Sequence, residues 1–93
     1  MRRAAHIDAN QPAIVEALRA AGASVEPKLA RVGEGVPDLL VSFRGMWYLL
    51  EVKDGTKPKS KQALTPDEQE WHGKQQAAVH VVNSVEQALA ILK

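Results

Sequence analysis

The hydrophobic positions fall into short blocks whose period changes along the chain. Ile14, Val15, Leu18 and Ala21 recur at three- and four-residue spacing between Asn10 and Gly22. That spacing predicts a helix with Asn10 as its N-cap, Pro12 in its first turn and Gly22 as its stop, with Glu16 off the buried stripe. From Ser24 to Val32 alternation is weak and Pro27 interrupts it, so an edge strand or extended arm is expected. Gly33 to Pro37 forms a break. Residues 38–43 and 46–52 then alternate around Arg44 and Gly45 as two strands of a hairpin. Leu39, Val41, Phe43, Met46, Tyr48, Leu50 and Val52 share one face of it, and Leu40, Trp47 and Leu49 lie on the other, so both faces require cover. Thr65 as N-cap, Pro66 at the first helical position and Glu68 at the third predict a second helix reaching about 76–78, with a thin apolar face. Residues 79–82 read as a short strand, and Val85, Ala88, Leu89 and Leu92 mark one face of a closing helix. The order α-β-β-β-α-β-α predicts an α/β fold of the mixed α+β kind: a small mixed sheet flanked by helices.

Composition narrows this further. The 93 residues suit one domain, with 1–9 expected as a flexible N-terminal arm. The absence of cysteine excludes disulfides, thiol nucleophiles, iron–sulfur clusters and thiolate-ligated zinc, leaving oxygen and imidazole as metal ligands. No apolar run is long enough to span a membrane and no signal-peptide core follows the start, so a cytoplasmic protein is expected. The net charge is only +1, so affinity for nucleic acid depends on where the charges lie. Residues 53–61 carry four lysines with Gly55 and Pro58, and the segment 53–63 is expected to be a mobile basic loop. His6, His72 and His80 lack metal-ligand spacing and are read as structural. Trp47, Tyr48 and Trp71 suit a core or an interface better than base stacking, although the polar helix around Trp71 gives that ring little cover unless a partner subunit supplies it.

The hairpin carries the candidate chemistry. A two-residue turn at Arg44 and Gly45 pairs Phe43 with Met46, and counting outward places Asp38 opposite Glu51, with Lys53 projecting from the face of Glu51. Facing carboxylates repel unless a cation lies between them, and a divalent ion meets that need. Taken alone, the same residues also fit a strand start beside a solvated Glu51–Lys53 ion pair.

The wider pattern separates the two readings. Gly35-Val36-Pro37-Asp38-Leu39-Leu40-Val41, twelve residues between Asp38 and Glu51, and then Glu51-Val52-Lys53 resemble the site of the PD-(D/E)xK nuclease superfamily. Together with Glu16 on the first helix and the segment Leu64-Thr65-Pro66-Asp67-Glu68-Gln69, the chain resembles the VRR-NUC family, the virus-type replication and repair nucleases, over residues 10–92. The resemblance implies a restriction-endonuclease-like core and Mg²⁺ or Mn²⁺ bound by Asp38, Glu51 and the main-chain carbonyl of Val52. It further implies Glu16 at a second ion or water, Lys53 on the attacking water and Gln69 orienting water or phosphate. DNA is the implied substrate, branched DNA such as flaps or Holliday junctions in particular, cut to 5′-phosphate and 3′-hydroxyl ends. Lys57, Lys59, Lys61, Arg31, Arg2 and Arg3 are the expected phosphate contacts, and a homodimer is expected because two related sites suit a four-way junction. A phage or mobile-element origin is what the family name suggests. The competing classes are a non-catalytic nucleic-acid-binding module on the same fold and a small protein-interaction domain.

Overall fold

The structure, a computed structural model, describes residues 7–93; Arg2, Arg3, His6 and most of the expected N-terminal arm lie outside the described residues. Its elements run α1 (Gln11–Ala20), β1 (Ser24–Glu26), a 3₁₀ turn (Leu29–Val32), β2 (Leu39–Phe43), β3 (Met46–Val52), α2 (Lys59–Gln62), α3 (Pro66–Gly73), β4 (Val79–Val82) and α4 (Val85–Ile91). The four strands form one sheet in the order β1-β2-β3-β4, antiparallel except for the parallel pair β3–β4. Among the described residues no helix is long and apolar enough to cross a membrane.

The hairpin folds as its alternation predicts. Phe43 pairs with Met46 and Leu39 with Leu50, so the register carried one step outward sets Asp38 against Glu51. Arg44 at φ 49° and Gly45 at φ 80° both occupy the left-handed region, the backbone of a two-residue turn that matches strand twist. Leu39, Val41, Leu50, Val52 and Val82 are fully buried beneath Ile14, Val15 and Leu18 of α1 and Ala88 of α4. Each large apolar side chain so buried contributes about 1.5–3 kcal/mol. The opposite face of the sheet is barely covered: Trp47 is 70% exposed and Val81 46%.

Several local expectations are corrected. The extended stretch after Ser24 is a strand of three residues only, at the sheet edge, and beyond Pro27 the chain turns into the 3₁₀ segment. Asn10 occupies the N-cap position of α1 without a side-chain cap; its amide instead donates to the carbonyls of Lys53 (3.0 Å) and Asn83 (3.2 Å), tying the helix to two strand ends. Helix α3 stops at Gly73, short of 76–78, because no apolar stripe holds a further turn and the amides of Lys74 and Gln75 bond back to Trp71 and His72. The basic segment contains the single turn α2, and Asn83 donates to the Gln62 side chain at its end. Leu89 faces outward, 37% exposed.

Gly35 sets the position of α3. Its φ is +78°, and a Cβ there would lie 2.2 Å from the carbonyl oxygen of Asp67 in the first turn of that helix. Gly35→Ala is therefore expected to cost about 1–3 kcal/mol through backbone strain alone, and more if α3 is pushed away. A melting temperature equal to the parent's would contradict this packing.

Candidate active site

The turn 33–37 delivers Asp38 into the start of β2, where the sheet and Pro37 bury it. Its Oδ2 accepts a 2.7 Å hydrogen bond from the Val52 amide across the hairpin, which fixes the carboxylate beside β3. Glu51 is 3% exposed and donates a hydrogen bond to the Asp38 carboxylate. Burial, then that hydrogen bond and the Asp38 charge, push the Glu51 carboxyl up to about 10. Burial and the charges of Asp8 and Glu68 also raise Asp38, against the hydrogen bonds from Glu51 and Val52. The facing carboxylates thus hold a proton between them.

Lys53 follows on the same strand edge, and its Nζ lies 2.7 Å from Glu68 Oε1. Glu68 is held in turn by a capping box: Thr65 Oγ1 accepts from the Glu68 amide at 3.2 Å, and Glu68 Oε1 accepts from the Thr65 amide at 2.9 Å. Lys53 holds the Glu68 carboxylate below its usual range despite burial, and Glu68 holds Lys53 above its own. His72, one turn further along α3, brings Nε2 to 3.7 Å from Glu51 Oε1. Burial lowers its pKa, so the ring is neutral near pH 7. Among the described residues neither the His72 Nε2 nor the Glu51 Oε1 has a hydrogen-bond partner.

Asp38, Glu51 and Lys53 are thus brought together, and the residues added to them are Glu68, His72 and, through its charge on Asp38 and Lys53, Asp8. Glu68 and His72 were readable as an i, i+4 pair on one face of a capped helix. Gln69, one position on, is exposed and donates to the Leu64 carbonyl at 3.2 Å, so Glu68 stands where Gln69 was expected. Glu16 is exposed on the flank of α1, in a cleft with Arg19 and Arg31, rather than beside Asp38. Lys57, Lys59, Lys61 and Arg31 are all exposed.

A divalent cation fits this donor set. Among the described residues no three His, Asp or Glu side chains form an all-protein cage, but Mg²⁺ commonly takes one or two carboxylates and keeps waters and substrate oxygens for the rest. The orphaned Glu51 oxygen, buried beside a second carboxylate, is the kind of ligand such an ion completes. Asp38 and Glu51 could hold it once their shared proton leaves.

Neither a protein-family model nor a curated protein matches the chain. A solved structure described as a VRR_NUC domain is 36% identical over 87% of each chain, with a TM-score of 0.57. With that identity over nearly the whole length, the chain belongs to the VRR-NUC family, a family of nuclease-type domains.

Proposed function

We propose that the protein is a Mg²⁺- or Mn²⁺-dependent endonuclease that hydrolyses phosphodiester bonds of DNA, selectively in branched structures such as flaps and Holliday junctions. The observation that carries this reading is the buried Asp38–Glu51 pair with an unpartnered carboxylate oxygen, set beside a lysine pinned in place. Binding DNA alone requires no such pair, and opposed carboxylates repel the phosphate they face. A divalent ion held by Asp38, Glu51 and the Val52 carbonyl would polarise the phosphate and lower the pKa of attacking water. Lys53, fixed by Glu68, neutralises charge building on the phosphate and positions the water. Neutral His72 faces Glu51 at 3.7 Å and adds no charge beside it. Lys57, Lys59, Lys61 and Arg31 supply phosphate contacts that weaken with salt, leaving 5′-phosphate and 3′-hydroxyl ends as the products.

Branched DNA suits two active sites related by a two-fold axis. The sheet face bearing Trp47, Leu49 and Val81 supports a homodimer: it is apolar and aromatic, it ends at Glu51, and among the described residues no helix crosses most of its area.

Labelled linear, flap and four-way-junction DNA should be cut by the parent with Mg²⁺ or Mn²⁺ and left intact in EDTA. Lys53→Ala should cut none of them. If neither protein cuts while both bind the junction equally, the domain is a non-catalytic binding module.

A further inference from the structure

A second concave site flanks α1. It is a cleft of about 450 Å³, within the range of small-ligand sites, between the helix and the segment that follows β1. Ile7, Pro12, Val15 and Pro27 give it mainly apolar walls, whereas its rim carries Arg19, Lys28 and Arg31 against the single acid Glu16. Arg19 is held in place, its guanidinium donating to the Val25 carbonyl at 3.0 Å. An apolar slot beneath a cationic rim matches a flat, weakly polar ring carrying a negative charge at its edge. It does not match a purely apolar ligand, which leaves the cations without a partner, or an inorganic anion, which leaves the slot unfilled.

The cleft adjoins the catalytic centre through the first turn of α1. Gln11 and Ile7 line the cleft, while Asn10 between them in sequence bonds the Lys53 carbonyl and Asp8 acts on the charges of Asp38 and Lys53.

We propose that this cleft receives one unpaired nucleotide of the DNA, its base between Pro12 and Pro27 and its phosphate on Arg31 and Lys28. The proposal rests on the nuclease reading and deepens it: an unpaired base near the scissile phosphate is a feature of flaps and other branches with a single-stranded arm, not of intact duplex. The cleft would thus be the element that selects the substrate's shape. Filling it costs a paired duplex the energy of unstacking, and costs a strand that is already single almost none.

The test measures equilibrium binding, with EDTA present so that nothing is cut. Fluorescence anisotropy compares a blunt duplex with the same duplex carrying a six-nucleotide single-stranded arm, for the parent and for Pro12→Trp, which fills the slot without changing charge. The parent should prefer the armed duplex by about tenfold, the scale of one base buried against a protein surface, and Pro12→Trp should lose that preference. Arg31→Glu, on the exposed rim, should reduce the preference as well, which guards against a folding defect peculiar to the first variant. Folded Pro12→Trp protein that keeps the parent's preference overturns the cleft proposal. An equal affinity of the parent for both duplexes also overturns it while leaving the nuclease reading intact, whereas failure to bind either duplex counts against both. Deoxyadenosine monophosphate distinguishes a free nucleotide from one in a strand: if millimolar nucleotide protects the parent against heating but the arm makes no difference, the site is not a strand site and the proposal fails.

Discussion

Asp38→Asn is expected to lower DNA cleavage by roughly 10³-fold, the scale on which loss of one group stabilising transition-state charge is felt, and to leave the fold in place. Asparagine keeps a carbonyl oxygen for the 2.7 Å hydrogen bond from the Val52 amide, so that contact across the hairpin survives. What it loses is the negative charge that complements a divalent cation. Lys53→Met should cost activity on a similar scale, roughly 10²- to 10⁴-fold, but it acts differently on stability. Removing Lys53 strips Glu68 of its 2.7 Å partner while the carboxylate stays largely enclosed, and a group left in that state costs about 1–3 kcal/mol. The double variant Lys53→Met with Glu68→Gln should recover the lost stability and none of the activity. Cleavage rates beside thermal melts of the four proteins check this. An Asp38→Asn protein that cuts at the parent's rate removes Asp38 from the site, and a double variant no more stable than Lys53→Met removes the Glu68 contact.

Those residues were not equally visible beforehand. Asp38, Glu51 and Lys53 are legible because a two-residue hairpin fixes its own register: once Arg44 and Gly45 form the turn, the pairing of every residue outward follows from period two. Glu68 was legible only as a helix cap. Its second role arises because Gly35 lets the turn before Asp38 approach the first turn of α3, a contact between segments 32 residues apart that no local pattern contains. His72 enters the site by the same docking, as the residue one turn beyond Glu68. The first helix shows the reverse case. Its apolar stripe predicts the buried Ile14, Val15 and Leu18 correctly, yet says nothing of how the helix rotates Glu16 relative to Asp38, and the N-terminal acid that acts on Asp38, alongside Glu68 of α3, is Asp8 in the preceding loop. The face bearing Trp47 was expected to be covered; among the described residues α3 reaches only its Glu51 end, because α1 and α4 both pack on the other face.

The proton shared by Asp38 and Glu51 makes a second expectation, with opposite signs for the free protein and for metal binding. Glu51 is raised from 4.5 to about 10 in the fold, so its contribution to stability is fully present below about pH 4.5 and is lost as pH rises toward the folded value. One proton taken up on folding corresponds to about 1.4 kcal/mol per pH unit. Of the other shifted groups, His72, lowered, loses its contribution as pH falls below its ordinary 6.5, Glu68 and Asp54 lower still, and Lys53 only above 10.5, while Asp38, also raised, shares the proton with Glu51 and acts in the same direction. Across those two units the metal-free protein should therefore lose about 2–3 kcal/mol and roughly 10–20 °C in melting temperature. Glu51→Gln carries a neutral group there at every pH, so its melting temperature should be flat over the interval and exceed the parent's at pH 9. Metal reverses the trend for the parent alone, because a cation must displace the proton: Mn²⁺ should bind up to about tenfold more tightly per pH unit, and Glu51→Gln should show no stabilisation by Mn²⁺ at all. A parent whose metal-free melting temperature does not change between pH 7 and 9, or a Glu51→Gln protein that follows the parent's slope, would mean that the proton lies elsewhere and that the carboxylates are not poised to exchange it for a metal.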